Sequence, residues 1–378
     1  MILLPLLIGL ALLQWGVMGG FPIETNTIVR LGDRAVLTEE QLFSQLATHE
    51  IVLIGEEHDN PAHHQVQLTV IRALHARHPD MAIALEMFPR TLQPELDRWV
   101  AGEYDEAAFL DAVEWYLTWG MPAELYMPIF RWARTHRIPL LAMNLPRETV
   151  SSVRKKGLIS LDPELHASLP PICTPVTAYR IRLEEVFNAH PMMSQTGQFN
   201  HFVEAQTLWD SVMADTIRKQ RQTHPDRLIV ALAGSGHLIH GHGIPHQLRS
   251  RHIEDLVTLL PWSVDANWIS PDAADFAWGT DEAPDDPPPL RLGVVLDDQR
   301  KDGAWIVSVS ANSPASKAGL QAGDRLLTLN DQNIRSRHAL VRLLQERKHG
   351  TPVRIRLQRA DQEQEVEITP ERHTMPGK

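Results

Sequence analysis

Two segments, Gly55-Glu56-Glu57-His58 and Gly234-Ser235-Gly236-His237, each close an apolar run with a glycine three residues ahead of a histidine. Glycine lets the chain turn tightly off a strand, so the histidine can point back over the strand's end. Two further apolar runs end in polar groups: Glu86, followed by Arg90, and Asn144, followed by Arg147. Imidazoles and carboxylates move protons and bind metals, and arginines hold anions. Any one of these groups is better read as an ordinary loop polar, but four at the ends of four runs form a pattern. The single cysteine, Cys173, excludes an intramolecular disulfide, a zinc–thiolate cluster, a paired-cysteine redox motif and c-type haem attachment. With 19 histidines against that one thiol, a bound metal or cofactor would rest on imidazole and oxygen donors. Five histidines fall between His58 and His78, and six between His224 and His252.

Positioning these groups requires strands. Short apolar runs at 50–54, 81–85, 138–143, 228–233 and 255–260 are separated by helical patterns such as 61–78 and 105–119. That alternation predicts an α/β fold, a mostly parallel sheet flanked by helices on both faces. Ligands of such sheets bind beyond the carboxyl ends of the strands, where the polar groups fall. Asn60 suits an N-cap and Pro61 the first helical position. His63 and His64 then sit in a first helical turn, which favours a carboxylate, phosphate or haem propionate; exposed surface histidines are the alternative. Residues 151–224 exceed what a crossover needs and predict a helical lid. It carries Tyr179, His190, Met192 and Met193 and a helix near 204–219; flexible methionines adapt to a flat apolar ligand.

A length of 378 residues suggests two domains. The formal net charge of −11 argues against nucleic acid as a partner. Residues 1–20 are apolar, with no Lys or Arg, and read as an export signal or an N-terminal anchor; no cysteine follows to carry lipid. Residues 271–289 hold six acidic and no basic residues, end in three prolines, and read as an extended linker. Beyond it, residues 290–378 have 15 basic and 11 acidic residues, so the acidity lies ahead of the linker.

The motifs Gly55–His64, Ala84–Arg90, Met143–Glu148, Ala205–Ala214 and Ala233–Pro245 together resemble the ChaN haem-binding uptake family of the wider Tiki superfamily, over about residues 25–265. The resemblance implies an exported envelope protein linked to iron acquisition, with haem in a pocket shared by two subunits and a tyrosine as axial ligand. Tyr179 is the first choice and Tyr126 the second, with His63, His64, Arg90, His190 and Met192 as further cofactor contacts. Family members are often lipoproteins; the missing N-terminal cysteine argues against that here. The superfamily also contains metal-dependent hydrolases, whose active site maps onto His58, Glu86 and His237. There a divalent metal would activate water with the carboxylate as ligand or base. Arg90 would hold an anionic substrate group or pair with Glu86.

Residues 290–370 resemble a bacterial-type PDZ domain, through Leu292-Gly293-Val294, Ser313-Pro314-Ala315, Ala318-Gly319-Leu320 and Gly323-Asp324. Such domains take an extended peptide as an added strand and hold its C-terminal carboxylate on backbone N–H groups. The carboxylate loop would be Leu292–Val295 (Leu292, Gly293, Val294, Val295). His338, at the start of the facing helix, either touches the peptide or is exposed. The leading expectation is a non-enzymatic haem protein with a peptide-docking module. A metal-dependent hydrolase or peptidase and a pure PDZ scaffold are the alternatives.

Overall fold

The structure, a computed structural model, describes residues 19–189, 198–264, 266, 268–282, 289–300 and 302–372. Its largest sheet has eight strands: β1 (Ile28–Arg30), β2 (Ala35–Leu37), β3 (Ile51–Ile54), β4 (Met81–Pro89), β5 (Leu140–Asn144), β6 (Leu228–Leu232), β7 (Leu256–Ser263) and β8 (Phe276–Thr280). Their order is β2-β1-β8-β7-β3-β6-β4-β5, parallel from β8 to β5 and antiparallel at β1 and β2. The central strands β3 and β6 are buried along their whole length, which is why they read as unbroken apolar runs.

Helix Pro61–Arg77 starts where its sequence says it should: the Asn60 side chain accepts from the Ala62 N–H, and proline fills the first turn. Helix Phe199–Thr223 is longer than its apolar spacing predicts. It packs Met213, Ala214 and Ile217 against the sheet core. The rest of the 151–224 segment adds helices Pro163–Ser168 and Thr177–Ala189. Among the described residues, no helix is long and apolar enough to cross a membrane.

Two expectations are corrected. Residues 276–280 are not linker but β8, buried at all five positions, because the acidic flanks mask a short apolar strand. One of those acids, Asp275, ties the sheet together by accepting from the Thr258 N–H and hydroxyl. The 105–119 pattern is not one helix. It breaks into Glu106–Ala112 and Trp115–Thr118 at Glu114, whose φ is +45°.

The chain forms two compact units that do not follow chain order. The first comprises residues up to Asp105 and Glu124–Pro284; the second joins Glu106–Ala123 to 285–378. In the second unit, strands β10 (Val294–Leu296), β11 (Ala304–Val309), β12 (Arg325–Leu329), β14 (Val353–Arg359) and β15 (Gln362–Ile368) form an antiparallel sheet in that order. β13 (Gln332–Asn333) pairs with β12, and β9 (Leu290–Arg291) pairs apart from this sheet with β16 (Glu371–Arg372). Helix Arg337–Gln345, capped by Ser336, sinks Leu340, Leu343 and Leu344 into the core of this unit.

Candidate functional site

Strands β3, β6 and β4 are neighbours, so the segments at their carboxyl ends lie side by side. The two Gly-x-x-His loops touch directly: the Ser235 N–H donates to the Glu56 carbonyl at 2.9 Å. Glycine lets the side chains at this seam pack closely. A Cβ on Gly234 would stand 2.9 Å from His58 Cε1, and one on Gly55 would stand 2.7 Å from Ser235 Oγ.

At this edge two histidine–carboxylate pairs face one carboxylate. Glu56 Oε1 lies 2.8 Å from His58 Nδ1 and accepts from the Tyr126 hydroxyl at 2.8 Å. The other oxygen of Glu56 accepts from Gln67 at 2.8 Å. Asp210 Oδ1 lies 2.6 Å from His237 Nδ1, and its Oδ2 accepts from the Tyr179 hydroxyl at 2.7 Å. Between the pairs stands Glu86, with Oε2 accepting from the Gly234 N–H at 2.7 Å and Oε1 3.5 Å from His237 Nε2. Glu56, Glu86, Asp210, Tyr126 and Tyr179 are buried, whereas the His58 side chain is one-third exposed.

Charge follows from this packing. Burial alone would lower the His237 pKa, but Glu86 and Asp210 outweigh it and raise it to about 10. Burial alone would raise Glu86, but His237, His58 and the Gly234 N–H bring it down to about 2. His58 is also raised against burial, by Glu56 and Glu86. At neutral pH the centre therefore holds an imidazolium against a carboxylate. A second imidazole, His58, opens to solvent.

The expected residues are distributed as follows. His58, Glu86 and His237 come together. Among the described residues, no group of three or more His, Cys, Asp or Glu is disposed to hold a metal ion. The inner ring nitrogens are committed to Glu56 and Asp210 instead. His63 and His64 are buried, not facing an anion at a helix end. His63 Nδ1 accepts from the Glu57 N–H, and its Nε2 contacts the hydroxyls of Thr280 and Ser263. His64 Nε2 lies against the His58 carbonyl. Both histidines brace the first loop. Their spacing carried the signal, since 63, 67, 70 and 74 share a helix face with the buried Gln67, Val70 and Leu74. Arg90 pairs with Asp215, not Glu86, and also donates to the Thr216 hydroxyl and the Val212 carbonyl. Tyr179 is not in an irregular lid but in helix Thr177–Ala189. His190 and Met192 lie outside the described residues.

Glu56 and Asp210 were missed in sequence. Glu56 lies within the Gly55–His64 motif. Asp210 could have been found as an acid in phase with the apolar face of its helix, between Leu208 and Val212. In the second unit Leu292 is core, Gly293 has φ +82° and abuts Ser313, and Val294 is half-buried. Val295 is 53% exposed on β10, the end strand of its sheet. His338 is fully buried, contrary to an exposed surface position.

This parallel sheet with its polar carboxyl edge is that of a known class. The sequence pattern of the haem-binding uptake family, Tiki superfamily, ChaN, matches residues 42–248, and the chain belongs to that family. A PDZ domain matches residues 291–369. Among solved structures, a Campylobacter jejuni ChaN with cofacial haem shares 20% identity, covering 68% of this chain and 98% of its own, at a TM-score of 0.55. A serine endoprotease from Yersinia pestis shares 26% identity over 23% of this chain and 30% of its own, at a TM-score of 0.21. A search of curated proteins gives no match.

Proposed function

We propose that the chain is an exported, haem-binding protein of the cell envelope, linked to iron or haem uptake, whose PDZ unit docks a partner peptide. Membership of the haem-binding uptake family carries this reading. The apolar 1–20 segment supports export, and the end strand β10 with its exposed Val295 supports strand addition. Two copies sharing haem is the assembly that the family resemblance implies.

The tyrosines expected as axial ligands do not fit that role. Tyr126 and Tyr179 are buried, and each donates its hydroxyl to a carboxylate. Burial and then Asp210 push the Tyr179 phenol well above its ordinary pKa, away from the tyrosinate a ferric ion would need. Hemin titration of the purified protein, followed by the Soret band and by the mass of the complex, tests the reading. The expected result is saturable binding that a Tyr126→Phe/Tyr179→Phe double variant retains, with a mass of two chains. The absence of a saturable shift would rule haem binding out.

A second reading, hydrolysis of a carbonyl substrate, is favoured by one observation: the two histidine–carboxylate pairs converging on Glu86. His58, held through Nδ1 by Glu56 and one-third exposed, is the imidazole that would exchange a proton with the reacting groups. His237, held cationic, is placed to stabilise developing negative charge. An ester and peptide panel, with elemental analysis for a divalent metal, tests it. Asp210→Asn should lower turnover about 100-fold or more if the reading holds. Unchanged turnover, or none in the wild type, would exclude it.

A further inference from the structure

The segment Glu106–Ala123 lies within the stretch matched to the haem-binding family, yet it is built into the PDZ unit. Its two short helices meet helix Arg337–Gln345 at the end where a docked peptide is expected. Asp111 Oδ1 lies 3.0 Å from His338 Nδ1 and accepts from Arg342 Nε at 2.9 Å. The second oxygen of Asp111 accepts from Arg342 Nη2 at 3.3 Å. The Tyr116 N–H donates to His338 Nε2 at 3.2 Å, and the Tyr116 ring stacks on the imidazole at 5.8 Å between centroids.

These contacts fix a tautomer. Because Nε2 accepts from the Tyr116 backbone, Nδ1 carries the proton and donates to Asp111. Both ring nitrogens are satisfied, and His338 is fully buried. The peptide contact expected of His338 is thereby taken up by a backbone N–H and a carboxylate of the insert. Arg342, one turn along, takes the same carboxylate. The three leucines of this helix, Leu340, Leu343 and Leu344, lie in the core.

We propose that the 106–118 insert is an internal occupant of the peptide-docking side of the PDZ unit. External peptides then bind only the molecules in which Asp111 and Tyr116 have left His338. This rests on the reading of the PDZ unit as a peptide-docking module. Apparent affinity falls by the fraction of competent molecules, so an insert seated in nine molecules out of ten weakens binding about tenfold.

The test uses the full chain and a panel of fluorescein-labelled decapeptides with free carboxylates and apolar last residues. Anisotropy is measured for wild type, Asp111→Ala/Tyr116→Ala and Asp111→Asn. The last variant keeps shape and loses charge should the double variant misfold. The expected result is about tenfold or greater tightening in both variants. A peptide added to the wild type should also speed hydrogen exchange at the Tyr116 amide. Equal affinities in wild type and variants would overturn the masking and leave docking standing. No binding in any of the three would overturn both.

Discussion

His63 shows how a residue type misleads when its phase is ignored. A histidine in a first helical turn suggests anion binding, yet this one is a neutral brace. It accepts from Glu57 on one side and meets Thr280 and Ser263 on the other. Burial lowers its pKa to about 4. Because the folded value lies below the unfolded one, the unfolded chain takes the proton first. The contribution is complete above about pH 6.5 and is lost as pH falls towards 4, amounting to roughly 3 kcal/mol. His237 has the opposite sign: raised to about 10, its contribution is full below pH 6.5 and is lost as pH rises towards 10. Thermal unfolding midpoints should therefore peak near neutrality. His63→Gln should flatten the acid limb, and Asp210→Asn the alkaline limb. If both variants kept the wild-type profile, the assigned charge states would be wrong. Sequence reasoning found His58, Glu86 and His237 because they end apolar runs. It missed Glu56, which reaches His58 inside the same loop, and Asp210, whose partners His237 and Tyr179 come from other elements.

At the scale of elements, legibility followed burial. The five strands read from sequence are the continuous apolar ones, and their parallel order follows from the helices between them. β1 and β2 have three residues each, too few to show a period. β8 was hidden by composition, since its neighbours carry the acids and prolines that mark a linker. Substitution in the full chain separates the two readings. Ala277 is fully buried between β1 and β7, so Ala277→Asp places a carboxylate where it has no water and no partner. The expected loss is about 3 kcal/mol or more. Glu282→Lys, at an exposed position two residues past β8, should change stability by no more than about 0.5 kcal/mol. A linker would tolerate both. Urea denaturation of the two variants decides, and equal midpoints would count against β8 as a structural strand.

For the molecule as a whole, chain order and spatial order disagree. A family match running unbroken from 42 to 248 suggests one body, but residues 106–123 fold with the PDZ residues. The sequence held one hint. The insert has three acidic residues and no basic ones, while 290–378 has a basic excess. Opposite charge is too common a pattern to assign a contact by itself; it needs the geometry that brings Asp111 onto His338 and Arg342. Placing a cation at that position should expose the dependence. Asp111→Lys puts an ammonium against the Arg342 guanidinium and removes the acceptor of His338. The half-buried pair sets a loss of about 1–3 kcal/mol. Because Asp111 belongs to the second unit, the loss should be local. Native-state hydrogen exchange should show protection falling in helix Arg337–Gln345 and β14, but unchanged in β3, β4 and β6. Loss spread evenly over both sets of strands would mean that the insert belongs to the α/β unit after all. In that case the polar edge around Glu86 would depend on it.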